Sequence, residues 1–197
     1  EEPQYVENIG REPFPMAISM GGTDAGNKTL RTLDSVLSVS RPLLIWVLLG
    51  EGYTHSYQAL VDCSKQRTRH EIILAKTSAS MWRVLDQCAF AILAGGTVTY
   101  EAVLAGLPSI NIFENREHTF LIRELLERQV CLSAGYPFQD ALSVVKAHTS
   151  HLSRHPQELL AMHRNSQNLV DGQAASRIGQ QIRQLYLDYR AGRLHPK

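Results

Sequence analysis

The feature that most limits what this chain can become is an alternation of short, unbroken apolar runs with segments of helical spacing. Phe14 to Met20 and Leu43 to Leu49 are apolar runs of strand length, and Asn27 to Val39 between them carries helical spacing through Leu30, Leu33, Val36 and Leu37. The rhythm continues with a helix near Ser56 to Ser64, a strand over Glu71 to Ala75, a helix over Ser80 to Gln87, a strand over Ala89 to Ala94, a helix over Thr97 to Ala105 and a strand over Pro108 to Phe113. A helix over Glu117 to Gln129 and a short strand near Val130 to Ser133 complete it. Apolar runs without polar alternation suit strands covered on both faces, and the helices between them supply right-handed crossovers. The expected fold is an α/β doubly wound parallel sheet.

After Pro137 the pattern is helical only, with Gln157 to Val170 and Ala174 to Tyr189 separated by the Asp171-Gly172 turn signal. These C-terminal helices are expected to pack on the sheet or to cross to a partner domain. Residues 1–13 hold Pro3, Gly10 and Pro13 without periodicity and read as a linker or interdomain hinge, so regular structure is expected to begin after them. Residues 14–190 then form one domain and 191–197 a tail.

In open parallel sheets ligands bind beyond the carboxyl ends of strands, where helix N-termini present free N–H groups and partial positive charge. Two segments have the composition for this: Gly21-Gly22-Thr23 after the first strand, and Gly95-Gly96-Thr97 after the strand at Ala89 to Ala94. Glycine allows amides to approach a phosphate without a Cβ in the way, and Thr adds a hydroxyl donor. The competing reading is a tight turn with a Thr cap, which a single such loop favours more than two in one sheet.

The first loop also has the G-x-x-x-x-G spacing of a phosphate-binding P-loop, from Gly21 to Gly26, with Lys28-Thr29 following. Asn27 intervenes, however, and turns Lys28 by about 100° around a helix away from the phosphates. No strand ends in an Asp suited to holding Mg²⁺ opposite it. Glu101 lies in the opening turns of the helix after the second loop, where a carboxylate accepts from vicinal ribose hydroxyls or merely complements the helix dipole. Glu114, Asn115, Arg116, Glu117 and His118 form a polar cluster at the end of the next strand.

Composition removes several classes. With 20 Lys and Arg against 19 Asp and Glu in 197 residues the net charge is +1, so no global attraction draws the chain to nucleic acid. The longest apolar run falls well short of the roughly 20 residues of a bilayer span, and no integral membrane segment is expected. A basic-then-apolar leader is absent or was removed, and Cys63, Cys88 and Cys131 form neither a disulfide nor a zinc pattern, which favours buried free thiols in a reducing compartment, the cytoplasm.

The segment Ala91 to Asn115, with Gly95-Gly96-Thr97 opening a helix, Glu101 following and Gly106-Leu107-Pro108 leading into the next strand, resembles the C-terminal domain of GT-B nucleotide-sugar enzymes. It is most similar to the UDP-sugar hydrolase of pseudaminic acid biosynthesis and related polysaccharide-biosynthesis glycosyltransferases. A more distant likeness is to the N-acetylglucosaminyltransferase of the lipid-linked peptidoglycan precursor. Ile18 to Asp24 resembles the group's first glycine loop, and Leu169 to Ile178 its C-terminal helix start.

The resemblance implies a Rossmann-like half of a GT-B fold with a UDP-sugar site. Gly21, Gly22, Thr23, Gly95, Gly96 and Thr97 would hold the diphosphate and Glu101 the ribose. Ile73, Leu74 and Ala75, with Met81 nearby, would receive the uracil, and Asn115 with Glu114 would face the phosphate or sugar. The sequence departs from the pattern at Arg116, where the family often has Gln, and at Ala89, where it has Asp. The resemblance implies neither cofactor nor metal, and it implies a missing N-terminal Rossmann-like domain that carries the catalytic base. His55 and His118 read as surface or supporting residues. The alternatives are a non-catalytic nucleotide-binding or assembly domain and a P-loop phosphotransferase.

Overall fold

The computed structural model describes residues 2–66, 69–76, 81–167 and 169–193. Six parallel strands, β1 (Phe14–Ser19), β2 (Leu43–Leu49), β3 (Glu71–Lys76), β4 (Phe90–Ala94), β5 (Ser109–Ile112) and β6 (Cys131–Gly135), form one sheet in the order β3-β2-β1-β4-β5-β6. The chain winds outward from β1 in one direction and then restarts at β4, on its other side. That reversal leaves a crevice beyond the carboxyl ends of β1 and β4, where doubly wound sheets hold their ligands.

The helices are α1 (Glu2–Gly10), α2 (Lys28–Val36), α3 (Tyr57–Ser64), α4 (Met81–Leu85), α5 (Thr97–Leu104), α6 (Arg116–Thr119), α7 (Arg123–Glu127), α8 (Phe138–Arg154), α9 (Pro156–Ser166) and α10 (Ala174–Arg190). The central strands are apolar on both faces because both are covered. Met16 and Ile18 of β1 and Phe90 and Ile92 of β4 pack with Leu33 and Val36 of α2 and Val145 of α8. The alternate residues Ala17, Ala91 and Leu93 pack with Leu85 of α4 and Ala102 of α5. Ile18 pairs in register with Val47 of β2 on one side and Ile92 of β4 on the other.

Three expectations are corrected, and α8 adds a helix to the region read as helical only. Regular structure starts at Glu2 rather than after residue 13: Tyr5, Asn8 and Ile9 of α1 are buried, the Tyr5 hydroxyl donates to the Ala89 carbonyl at 2.6 Å, and Asn8 Nδ2 donates to the Asp86 carbonyl at 2.8 Å. Tyr5 also stacks on the buried His163 of α9 with centroids 4.2 Å apart. The anchors are long-range, so local periodicity carries no trace of them.

The helix expected over Glu117 to Gln129 is broken into α6, a 3₁₀ turn over Phe120–Ile122 and α7. Ile122 and Leu125 are drawn in beside Phe113 while Phe120 and Leu121 stay exposed, a pattern one continuous helix does not satisfy. Between Pro137 and His155 the chain forms α8, whose buried stripe of Ala141, Val145, Thr149 and Leu152 is too small and mixed to stand out as apolar periodicity. The helix expected over Gln157 to Val170 is displaced to α9, opened by Pro156 at its first position and ended at Gln167 in extended backbone.

Candidate functional site

The crevice at the switch point is a cleft of about 670 Å³. Gly21, Gly22 and Thr23 form one wall, Gly96, Thr97 and Val98 the opposite one, and Met81 and Glu101 lie within the same lining. The two glycine loops, far apart in sequence, face each other because β1 and β4 are hydrogen-bonded neighbours.

The loops differ in their chemistry. After the second, Gly96 leads directly into α5: its own amide donates to Thr99 Oγ1 at 3.4 Å and the Thr99 amide donates to the Gly96 carbonyl at 3.1 Å, which leaves Thr97 and Val98, both in the cleft lining, at the positive start of the helix. A buried network holds this turn in place: Thr99 Oγ1 donates to Asn111 Oδ1 at 2.7 Å, and Asn111 Nδ2 donates to Ser109 Oγ at 3.0 Å. After the first loop the chain passes through Asp24 and Asn27, both in the left-handed region at φ 46° and 48°, before α2 begins. The buried Asp24 carboxylate accepts from the amides of Lys28 at 2.7 Å and Thr29 at 2.9 Å. The positive end of α2 is thus already answered by the chain's own carboxylate.

Lys28 points to a different task from that of a P-loop lysine. Its ammonium pairs with Glu114, linking the start of α2 to the loop after β5, and this contact holds the Glu114 carboxyl below its ordinary range. His55 Nε2 lies 2.7 Å from the Asp24 carbonyl and helps hold the first loop's return.

A third wall comes from Gly50-Glu51-Gly52, whose paired glycines directly after the apolar run of β2 are its sequence signal. All three residues line the cleft, as does Ser19. A Cβ on Gly50 would lie 2.4 Å from the Gly22 carbonyl oxygen and one on Gly52 3.0 Å from Thr23 Cγ2, so glycines here allow the β1 and β2 loops to nest. Glu51 brings a second carboxylate to the cleft beside Glu101.

Of the residues singled out from sequence, Gly21, Gly22, Thr23, Met81, Gly96, Thr97 and Glu101 are brought together. Gly95 is adjacent to the cleft but outside its lining: a Cβ there would lie 2.1 Å from Cε1 of the buried Phe113 ring, so this glycine makes room for the core. Ile73, Leu74 and Ala75 belong to β3 at the sheet edge and are not in the lining, and the Ser80 end of the expected fourth helix lies outside the described residues. Asn115 caps α6 by accepting from the His118 amide at 3.1 Å, and Glu114 is engaged by Lys28.

A second cavity of about 330 Å³, lined by Tyr5, Asn8, Trp82, Cys88, Gly106 and His163, lies at the opposite end of the strands. Tyr5 and Asn8 donate to the Ala89 and Asp86 carbonyls, His163 Nδ1 donates to the Gly106 carbonyl at 2.6 Å, and burial pushes the Cys88 thiol up to about 12.

The chain folds as a Rossmann-like parallel α/β sheet with a cleft at its switch point. Solved GT-B glycosyltransferases share it: MurG of Acinetobacter baumannii superposes with a TM-score of 0.74 at 14% identity over 91% of this chain and 53% of its own. The spinosyn rhamnosyltransferase SpnG matches at 0.55 with 16% identity, over 77% of this chain and 40% of its own, and was also solved with thymidine diphosphate. VinC, solved with dTDP, matches at 0.53 with 12% identity, over 86% of this chain and 41% of its own. This chain spans about half the length of MurG and less of the other two. No protein-family profile and no curated protein sequence matches it. Among the described residues no helix is long and apolar enough to cross a membrane.

Proposed function

We propose that this chain is the C-terminal, UDP-sugar-binding half of a GT-B enzyme, a nucleotide-sugar hydrolase or glycosyltransferase of surface-polysaccharide or nonulosonic acid biosynthesis. The observation that carries the reading is the cleft into which the start of α5 opens, with Gly21 to Thr23 opposite and Glu101 in the same lining. In this reading the diphosphate sits against Gly96 and Thr97 and the ribose hydroxyls donate to Glu101. The uracil lies toward Met81 and the end of β3, and the sugar extends toward Glu114 and Asn115.

Chemistry follows from that placement. As water or an acceptor hydroxyl attacks the anomeric carbon, the carbon–oxygen bond to the diphosphate breaks and negative charge develops on departing UDP. Amides fixed at a helix start stabilise that charge without reorganising. The base that takes the nucleophile's proton belongs to an N-terminal Rossmann-like domain that closes over the cleft. Support for such a partner comes from α10, where Ile178, Ile182, Leu185 and Tyr186 form a stripe and each is more than half exposed. The same stripe favours the second reading, an assembly domain without turnover. Three buried free thiols support a reducing compartment, the cytoplasm.

The test is calorimetric titration with UDP, dTDP, CMP, GDP and ATP, without and with Mg²⁺. Metal-independent selectivity for UDP, weakened by Glu101→Ala, is the expected result. Unchanged UDP affinity in Glu101→Ala overturns the ribose assignment, and absence of binding to every nucleotide with stable self-association supports the assembly reading instead.

A further inference from the structure

At the opposite end of the sheet from the glycine loops, α8 gives way to α9 within a single residue. Three potential metal ligands meet at this corner: His151 in the last turn of α8, His155 at the joint and Glu158 in the first turn of α9. One ligand atom from each lies within 4.8 Å of the other two. We propose that this corner is a binding site for a first-row transition-metal dication, Zn²⁺ first among them, ligated by both imidazoles and the carboxylate.

The local chain path explains the convergence. Residues four apart in a helix share a face, which brings the rings of His151 and His155 into a stack with centroids 4.3 Å apart. Pro156 then starts α9 and turns the chain so that Glu158 returns over the same spot, its Oε1 lying 2.8 Å from His151 Nε2. His155 Nδ1 is 2.9 Å from the His151 carbonyl oxygen, which only accepts, so this nitrogen carries the proton and Nε2 presents its lone pair. A backbone carbonyl fixing the far nitrogen is the usual support of a metal-bound histidine.

A plain His151–Glu158 ion pair accounts for two of the three side chains, while His155 is fixed by its stack on His151 and its bond to the His151 carbonyl, with Nε2 as its remaining ligand atom. A tetrahedral ion with bonds near 2.1 Å needs its donors about 3.4 Å apart, so the His151–Glu158 pair must open by about 0.6 Å while the widest separation, at most 4.8 Å, closes by up to about 1.4 Å. Both His151 and Glu158 are about half exposed, which leaves them free to do so. Neighbouring cations are committed elsewhere: Arg154 donates back to Ser150 of its own helix, and Arg41 binds Glu12 and the Ser153 carbonyl. His148, one turn earlier, is half-buried and bonded to the Ser133 backbone, its protonation held down by burial. Imidazole with one carboxylate suits Zn²⁺, Ni²⁺ or Cu²⁺ rather than Mg²⁺ or Ca²⁺. The ion would clip α8, which packs on the sheet, to α9, which holds α1 through the Tyr5–His163 stack.

The experiment titrates the whole chain with zinc chloride by calorimetry, follows thermal unfolding in parallel, and records the visible spectrum with Co²⁺ as substitute. One Zn²⁺ per chain, a raised unfolding temperature and a tetrahedral Co²⁺ spectrum are expected, with no response to Mg²⁺. His151→Ala and His155→Ala should each weaken binding at least about tenfold, and Glu158→Gln should weaken it less. The metal-free variants should still unfold in one cooperative transition, since His151, His155 and Glu158 lie outside the core clusters, so lost binding is not lost folding. Absence of saturable Zn²⁺ binding, or binding of unchanged affinity in the His151→Ala/His155→Ala double variant, overturns the proposal.

Discussion

Gly95 and Gly96 are adjacent in sequence, and the structure gives them opposite liabilities. A methyl group on Gly95 would lie 2.1 Å from Cε1, 2.4 Å from Cδ1 and 2.8 Å from Cζ of Phe113. That ring is 2% exposed and packed among Val103, Ile122, Leu125 and Val130, so it has nowhere to swing. Forcing a methyl into such a core costs about 1–3 kcal/mol, which for a domain of this length lowers the melting temperature by about 2–12 °C. On Gly96 the same methyl meets nothing within 4 Å, and its φ of 167° is extended backbone open to any residue. Gly96→Ala should therefore leave stability within about 0.5 kcal/mol of native while narrowing the cleft and weakening nucleotide binding. Thermal and urea unfolding of both variants, paired with UDP titration, measure the contrast. Native stability in Gly95→Ala, or a Gly96→Ala variant as destabilised as its neighbour, refutes the division of labour.

Asp24→Ala removes both acceptors of the Lys28 and Thr29 amides and should cost about 1–2 kcal/mol in urea denaturation, with Asp24→Asn losing less because one oxygen remains; a fully stable Asp24→Ala would show that these amides find other partners. The Glu114 carboxyl is lowered from its ordinary 4.5 by Lys28, so the pair's contribution is present above pH 4.5 and fades as the pH falls through the lowered value. Carboxyl NMR should show that low midpoint moving up in Lys28→Met, and an unmoved midpoint would mean the ion pair does not persist in solution. Burial pushes the Cys88 and Cys131 thiols up to about 12 and raises Cys63 as well, so a thiol reagent at pH 8 should label no cysteine in the native chain and all three after unfolding. Rapid native labelling at any of them would contradict the packing.

The sheet was legible because its signal is local. A strand buried on both faces must be apolar throughout, and β2 runs from Leu43 to Leu49 as the sequence reads. The same holds for α5, whose opening turns carry the loop that most resembles a nucleotide-sugar site. Spacing alone, however, cannot say which strands are neighbours. The order that sets β1 against β4 turns two separate Gly-Gly-Thr strings into facing walls, and it brings Gly50-Glu51-Gly52 in as a third.

Composition likewise treats Gly95 and Gly96 alike, and only packing makes one a core allowance and the other part of the cleft. Asp24 reads as a polar loop residue until the folded loop directs its carboxylate onto the start of α2, where it accepts from the Lys28 and Thr29 amides. The first 13 residues are the clearest case. Nothing in their spacing announces a helix, because what holds α1 is a hydroxyl reaching Ala89 and a ring stacked on His163, contacts that exist only once the rest of the chain has folded. Local sequence determined the elements that cover their own apolar faces; contacts between distant residues determined where those elements meet, and therefore where a ligand can sit.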